Sequence, residues 1–388
     1  MIEYVRIDPQ SLYNERMHLL WKAFVPGQGL EKAIELYHSL LDNQAIFTAQ
    51  DDGRLAAMIC VKEPIENRIR GANLSFGGIG EVSTLPEYRR DRLIRTIFSR
   101  VFAYMNEQDI VYSALGPFSF TFYEKFGYVH AAQNMRYTFP TAFLKPVRGD
   151  SAISYREYAD EDGEGVMKVQ RSMARFGSRV FIPVKKLKSD HAYVFERAGQ
   201  IIGFTRFGFK RLGEYETGIE VSDTWFSQDE CLPAIVDMVY RYASQSPTTI
   251  WHIDNEIPLE YYLTEPGKTE RKREGYMMVR VVKFREFCQQ IKVPLYAAEP
   301  VVIALKDESC PWNTGTFKLT PVSGRLEVEP SNKEPEIHFD AQHFSHAVGG
   351  FLTANRLHRL GGLDCSASAA ERFTRIFPSE SYVSYVTF

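Results

Sequence analysis

The sequence predicts an α+β protein in which one fold, a mixed sheet flanked by helices, occurs twice and is followed by a smaller α/β region. The first observation is a repeated order of strands, turn and helix, spaced by about 140 residues when counted from Pro86 to Phe226. The second is a run of short strands with turn residues beyond position 300, followed by helical segments. The 388 residues are enough for two or three domains.

The first copy of the repeat opens with a predicted hairpin. Two apolar-rich runs are separated by Asp51-Asp52-Gly53, a composition typical of a turn between two strands. A later strand stops at Pro86, and the helix after it carries its apolar residues on one face. Strands are expected over residues 45–50, 54–62, 78–85 and 110–115, and the helix presents Leu93, Ile97, Val101 and Met105 on its apolar face.

The same order of elements returns after residue 190 and gives the second copy. Its strands are expected over 192–195, 201–209, 216–226 and 249–253, with a helix over 228–245. In the third region a small antiparallel sheet is expected from 301–305, 316–319, 325–329 and 336–339, followed by helices over 345–357 and 366–376. The expected domains are therefore 1–150, 151–287 and 288–388.

Composition excludes several classes of protein. No apolar run reaches the ~18 residues of a membrane span, and the first residues lack the pattern of a secretory signal, so a cytoplasmic protein is expected. The five cysteines are far apart and form no CxxC pair, which argues against a disulfide framework or a metal site. A net charge of -3 offers no basic face for nucleic acid. A small-molecule or protein substrate is expected instead.

The segment 77–95 carries the strongest chemical signal. A strand runs into a loop and a basic helix start, with Arg89, Arg90, Arg92 and Arg95 close together. A strand edge offers backbone N–H and C=O groups to an extended ligand, while a helix N-terminus presents unpaired amides and a partial positive charge. This combination suits a pantetheine arm that ends in pyrophosphate. Read from charge alone, the cluster is also consistent with a solvated basic helix start.

In this segment and in a motif downstream of it, the chain resembles the GNAT acetyltransferases, in particular the enhanced intracellular survival (Eis) family. The usual phosphate signature of that family is Arg or Gln, two variable residues, Gly, one variable residue, then Gly or Ala. Here the segment reads Arg89-Arg90-Asp91-Arg92-Leu93-Ile94, so both small residues are lost. The downstream Phe122-Tyr123-Glu124-Lys125-Phe126-Gly127-Tyr128 is similar to the tyrosine-bearing helix and turn of the family. Arg92 is expected to be helical, and a helical residue does not need the positive φ of glycine.

The resemblance implies an architecture and a set of site residues. It implies tandem GNAT folds, the second without cofactor, then a sterol-carrier-like domain, in a homo-oligomer that is a hexamer in the family. It implies acetyl-CoA as cofactor, Tyr123 as general acid and the carboxylate of Phe388 as general base. The residues that it assigns to the cofactor are Val82, Ser83 and Thr84 along the pantetheine, Arg90, Asp91, Arg92, Leu93, Ile94 and Arg95 at the phosphates, and Phe118 and Ser119 against the cofactor.

The acceptor of the acetyl group is an amine by the same resemblance. Glu81 precedes the cofactor-holding strand segment and is expected to face the acceptor, either attracting an amine or serving as a spare base. Trp21 and Phe24 are expected to line the same pocket, with core packing as the alternative for each ring. Family enzymes accept aminoglycosides, and aminoglycoside-like polyamines and protein lysines are both retained as acceptors.

Two other classes of function fit the same pattern. The tandem repeat also resembles N-myristoyltransferases and tRNA-dependent aminoacyl transferases, which transfer other acyl groups. A non-catalytic interpretation keeps the fold and makes the protein a lipid or protein binder.

Residues 382–388 alternate large apolar and small polar side chains, a pattern typical of a docked strand and not of a loose tail.

Overall fold

The computed structural model describes all residues except 38–43, 132–133, 185–186, 188, 190, 215, 275–276 and 387–388. The chain forms two compact units, one from Met1–Ala131 with Met277–Ser379 and the other from Ala132–Tyr276 with Glu380–Val386. In the described part of the chain no helix is long and apolar enough to cross a membrane.

Both units contain strands and helices. The strands are β1 (Ile2–Ile7), β2 (Gln44–Asp51), β3 (Arg54–Lys62), β4 (Asn67–Arg68), β5 (Phe76–Thr84), β6 (Tyr112–Leu115), β7 (Val129–His130), β8 (Asn134–Pro140), β9 (Ile153–Glu157), β10 (Ser178–Val180), β11 (Ala192–Arg197), β12 (Gln200–Arg211), β13 (Thr217–Phe226), β14 (Thr248–Asp254), β15 (Glu270–Glu274), β16 (Met278–Val281), β17 (Val301–Lys306), β18 (Gly315–Val322), β19 (Arg325–Pro330), β20 (Ile337–Asp340) and β21 (Tyr382–Ser384). The helices are α1 (Tyr13–Phe24), α2 (Leu30–Tyr37), α3 (Leu93–Glu107), α4 (Phe120–Glu124), α5 (Gly163–Ser172), α6 (Cys231–Tyr240), α7 (Phe284–Gln290), α8 (Ala341–Gly349), α9 (Ala354–Arg359) and α10 (Ala367–Ile376).

The first unit contains a seven-stranded sheet in the order β1-β2-β3-β5-β6-β16-β7. The β2–β3 hairpin turns at Asp52 and Gly53, both with positive φ, as the sequence predicts. Helix α3 buries Ile97, Phe98 and Val101 in the core on this sheet, which is the face that the apolar period predicts. The strands β5 and β6 run parallel, whereas the other pairs in this sheet are antiparallel.

A four-stranded sheet in the order β19-β18-β17-β20 also belongs to the first unit. The expectation of a fully antiparallel sheet was wrong for one pair, since β20 runs parallel to β17. An alternating pattern identifies a strand but carries no information on its direction. The single helix expected over 345–357 is two helices, because α8 ends at Gly350 with φ 85° and α9 begins after the capping residue Thr353.

The second unit contains a seven-stranded sheet in the order β15-β8-β14-β13-β12-β11-β9. It repeats the design of the first sheet, with an antiparallel hairpin, β11–β12, followed by a parallel pair, β13–β14. Strand β21 pairs in parallel with β10. The repeat and the α+β class predicted from the sequence are therefore confirmed.

Two strands near the expected domain boundaries lie in the sheet of the other unit, and not in the sheet of the domain to which the sequence assigned them. Strand β8, at residues 134–140, lies in the sheet of the second unit, although the expected first domain extends to residue 150. Strand β16, at residues 278–281, lies in the sheet of the first unit, although the expected second domain extends to residue 287. The partner of a strand is chosen by packing across the whole fold, which a local pattern does not report.

Candidate active site

The candidate site lies where two parallel strands of the first unit separate. Strands β5 and β6 pair from Phe76 with Tyr112 to Ile79 with Leu115, and β6 then ends. Strand β5 continues to Thr84 and remains paired with β3, where Ala57 faces Thr84. The edge of β5 that follows Ile79 is thus left open by β6, and its backbone groups are available to an extended ligand.

A bulge in β5 accompanies this separation. Glu81 adopts a positive φ of 56°, and the pairing with β3 shifts register between Met58 and Cys60. The Glu81 side chain is buried, its Oε2 lying 3.0 Å from Cys60 Sγ and its Oε1 3.9 Å from Lys62 Nζ. Burial and the neighbouring Glu81 carboxylate raise the pKa of the Cys60 thiol. Glu81 therefore belongs to the core behind the open edge, and its expected role toward the acceptor stays a prediction.

A cavity of about 810 Å³ opens beside the bulge. This volume is within the range of small-molecule and cofactor sites. It is lined by the open edge of β5, the loop and first turn of α3, the end of α1 and the segment around α4. The lining residues are Ala23, Phe24, Val82, Ser83, Thr84, Tyr88, Arg89, Arg90, Arg92, Leu93, Ile94, Arg95, Phe118, Phe122, Lys125 and Phe126.

The loop before α3 has a strained backbone. Arg90 and Arg92 have positive φ values of 80° and 61°, and Arg92 is the residue that caps the start of α3. The expectation that Arg92 is helical was therefore wrong. The loop keeps the conformation that glycine usually adopts, although arginine occupies the position, at a cost of about 1–2 kcal/mol for a left-handed residue with a side chain.

The same loop carries the groups that an anion site needs. The side chain of Arg92 makes no capping hydrogen bond to α3, so the first amides of the helix are open to a ligand on that side. Arg90, Arg92 and Arg95 are exposed and line the cavity, and among the described residues none of them has an acidic partner. Guanidinium groups and helix amides together are the usual ligands of phosphate.

Tyr123 lies on α4 immediately behind the cavity wall. Its side chain is 2% exposed, and its ring packs edge-on against Phe118 and Phe122, with centroid distances of 5.3 Å and 5.1 Å. Burial raises the pKa of its phenol well above the usual value of 10.0, so the hydroxyl remains protonated at neutral pH. Within the described part of the chain the Tyr123 hydroxyl has no hydrogen-bond partner.

The structure brings most of the residues that the sequence singled out to one cavity. Phe24 lines it, whereas the indole of Trp21 packs on His18 and donates to the Gln28 carbonyl. Asp91 and Ser119 adjoin lining residues without being among them. The roles proposed for these residues stay predictions, and Phe388 lies outside the described residues.

Six lining residues were not assigned from the sequence. They are Ala23, Tyr88, Arg89, Phe122, Lys125 and Phe126. Three of them, Phe122, Lys125 and Phe126, belong to the motif that carries Tyr123. Their spacing of three and four residues, which places them on one face of a helical turn, was the available signal. Nothing local marks Ala23, because its position depends on how α1 packs.

Comparison with known proteins agrees with this geometry. Residues 8–131 match the acetyltransferase (GNAT) domain family, and residues 284–384 match the sterol carrier protein domain family. This chain is a transferase with a GNAT domain. Its GNAT domain holds the open strand edge, the arginine loop and Tyr123. No curated protein sequence matches the chain.

Several solved structures share the fold of this chain over its whole length. A probable N-acyltransferase from Enterococcus faecalis is 20% identical, with a TM-score of 0.87 and full coverage of both chains. A GCN5-related N-acetyltransferase from Anabaena variabilis is 18% identical, with a TM-score of 0.89 and full coverage of both. Eis1 from Mycobacterium abscessus is 17% identical, with a TM-score of 0.81 and full coverage of both. At these identities the likeness concerns the fold.

Proposed function

We propose that the protein is an acetyl-CoA-dependent N-acetyltransferase that acts on an amine. The observation that supports this most is the cavity in which an open β-strand edge meets a helix start without a side-chain cap from Arg92, beside three arginines that have no acidic partner among the described residues. An open edge matches the amides of a pantetheine arm, and the arginine loop matches its phosphates. Acetyl-CoA supplies an acetyl thioester when bound.

Different residues of the cavity bind different parts of acetyl-CoA. The backbone of Val82, Ser83 and Thr84 lies along the open edge and offers hydrogen bonds to the amides of the arm. The first amides of α3, with Arg90 and Arg95, bind the phosphates. The exposed ring of Phe118 gives an apolar surface at the cavity. A β5 amide near Val82 is suited to polarise the reacting carbonyl, as in an oxyanion hole.

Tyr123 acts as the general acid in this proposal. A thiolate with a reference pKa of about 8.5 is a weaker base than a phenolate, so Tyr123 keeps its proton until the thioester C–S bond breaks and negative charge develops on the sulfur, to which the hydroxyl then donates. The raised pKa of Tyr123 keeps that proton in place, and the absence of a described partner leaves the hydroxyl able to donate.

Calorimetry with acetyl-CoA tests the proposal. The Arg95→Gln variant is expected to bind acetyl-CoA about threefold to tenfold more weakly, since Arg95 lines the cavity but is exposed to solvent. The matched control is Arg100→Gln, because Arg100 is exposed on the same helix and lies over the ring of Tyr4 at 5.7 Å. If the native protein gives no heat at millimolar acetyl-CoA, or if both variants lose affinity equally, the proposed function is wrong.

The Arg92→Gly variant tests the loop. We expect the affinity for acetyl-CoA to change by no more than about tenfold, or ~1.4 kcal/mol. Glycine accepts the φ of 61° without strain, and the helix amides, Arg90 and Arg95 retain the phosphate contacts. Calorimetry on the purified variant measures this directly. A thousandfold change in either direction would show that Arg92 itself dominates phosphate binding or blocks it.

The pH dependence of turnover tests the protonation state of Tyr123. Because the pKa of Tyr123 is raised in the folded protein, its hydroxyl stays protonated through neutral and moderately alkaline pH. At any pH below about 10, therefore, kcat should show no decrease that is due to ionisation of Tyr123. Turnover should instead rise with pH as the acceptor amine loses its proton. A falling limb between pH 7 and 9 that disappears in Tyr123→Phe would contradict this assignment of the pKa.

The acceptor is proposed only as an amine. The cavity lining contains Arg89, Arg90, Arg92, Arg95 and Lys125, and no acidic residue is among the described lining residues. These cationic side chains suit the phosphates of the cofactor, and they repel a polycationic acceptor. Initial rates with an aminoglycoside and with a lysine peptide of equal amine concentration separate the two retained acceptors.

A further inference from the structure

The parallel strands of the second unit also separate, as those of the first unit do. Strands β13 and β14 pair from Gly218 with Thr248 to Val221 with Trp251, four pairs as in β5 and β6. The pairing of β13 with β12 then shifts register between Arg206 and Phe207, so a bulge follows the last parallel pair in both sheets. The second unit therefore has the backbone arrangement that forms the open edge in the first.

In the second unit the chain itself fills this space. Val383 and Tyr385 line the gap together with residues 222–225 of β13 and 252–254 of β14. The cavity that remains measures about 30 Å³, against about 810 Å³ in the first unit. A volume of 30 Å³ is about that of one water molecule, so no pantetheine arm fits beside the segment.

Backbone pairing and packing hold the segment in place. The Ser178 amide donates to the Ser381 carbonyl at 2.8 Å, and the Tyr385 amide donates to the Val180 carbonyl at 3.0 Å. The Ser178 hydroxyl donates to Glu380 Oε1 at 2.6 Å. The Tyr385 ring packs against Trp225 with centroids 5.3 Å apart, and Val383 is 1% exposed. These contacts are those of an integral strand.

The charges near the gap also differ from those of the first unit. After β13 the chain reads Ser227-Gln228-Asp229-Glu230 before α6 begins, where the first unit has its arginine loop. These four residues include two carboxylates and no arginine, and Asp229 pairs with Arg175 at 2.9 Å, so the loop does not offer a phosphate the cationic side chains that the first unit offers. The gap thus offers neither the room nor the charge for an acyl-CoA.

We propose that the gap between β13 and β14 is the binding slot of residues 380–386. The second unit holds a segment of its own chain at the place where a GNAT domain holds a pantetheine arm. Its role is to fix that segment. The proposal is independent of the acetyl-transfer activity, since it concerns only contacts within the second unit.

Gly177→Ala is the most direct test, because Gly177 lies against the backbone of the segment. A Cβ there would overlap the Ser381 carbonyl oxygen, and the φ of 125° disfavours any side chain. We expect amide hydrogen exchange in residues 382–386 to be at least about tenfold faster than in the native protein. The matched control is Gly199→Ala in the same unit, with a φ of 76° and open space around its Cβ. Its left-handed φ also disfavours a side chain, though less than the conformation of Gly177 does, and the substitution should leave exchange in 382–386 unchanged.

A second variant covers the case in which Gly177→Ala does not fold. Tyr385→Ala removes the ring on Trp225 and should accelerate exchange in the same residues about tenfold, with acetyl-CoA affinity unchanged within about twofold. Native rates of exchange in both variants would overturn the proposal. So would equal acceleration in Gly199→Ala, since the effect would then come from strain alone, or a second mole of acetyl-CoA bound by the native chain.

Discussion

Replacement of Tyr123 by phenylalanine is expected to lower kcat by about 10²–10⁴, the usual range for loss of a general acid. The ring is retained, so its edge-on packing against Phe118 and Phe122 persists and the fold is unaffected. Loss of the hydroxyl removes the proton that the leaving thiolate needs. Acetyl-CoA affinity by calorimetry should match that of the native protein, which assigns the loss to the chemical step.

Tyr128→Phe is the matched control for this experiment. Tyr128 is fully buried in the same aromatic core, and its hydroxyl is 2.8 Å from Ser113 Oγ. Removal of that hydrogen bond should cost about 0.5–1.5 kcal/mol of stability and leave kcat within about threefold of the native value. Native turnover in Tyr123→Phe, or an equal loss in Tyr128→Phe, would remove Tyr123 from the proposed mechanism.

Replacement of Arg280 by methionine is expected to lower the free energy of unfolding by about 3–5 kcal/mol. Arg280 on β16 is fully buried and forms an ion pair with Asp307, Nη2 to Oδ2, at 2.6 Å. Its Nη1 donates to the Phe126 carbonyl at the turn after α4. Methionine leaves the buried Asp307 carboxylate without its cation. It also removes the hydrogen bond to the turn that carries Phe126, which lines the cavity. Urea denaturation followed by circular dichroism measures the loss.

Arg285→Met provides the control for a cation that is not buried. Arg285 is exposed and lies over the Phe317 ring at 4.9 Å, so its loss should cost about 1 kcal/mol or less. Equal denaturation midpoints for Arg280→Met and the native protein would show that Asp307 is satisfied by its other donors, the amides of Ser309 and Cys310 and the Asn313 side chain.

Much of the site follows from local sequence. The β2–β3 hairpin, the strand that stops before Pro86 and the apolar face of α3 are short-range patterns, and the structure confirms each one. Val82, Arg95 and Phe118 were assigned to one cavity through resemblance to a family, and the structure places all three in its lining. The backbone of Arg92 was predicted wrongly, because loss of the glycine suggested a helical residue while the loop kept its left-handed conformation.

The sequence by itself determined the repeated α+β fold and the segment that carries the basic loop and Tyr123, because periodicity and turn composition act within a few residues. Only the tertiary structure decided which strands share a sheet, so that β8 and β16 belong to sheets outside their expected domains. It also decided that Glu81 is buried and that one strand gap is open while the other holds Val383 and Tyr385. The sheet partners of β8 and β16 and the filling of the second gap depend on contacts between residues more than a hundred positions apart, and such contacts leave no periodic trace in the chain. The burial of Glu81 depends on Cys60 and Lys62 of the neighbouring strand, which a local pattern does not report either.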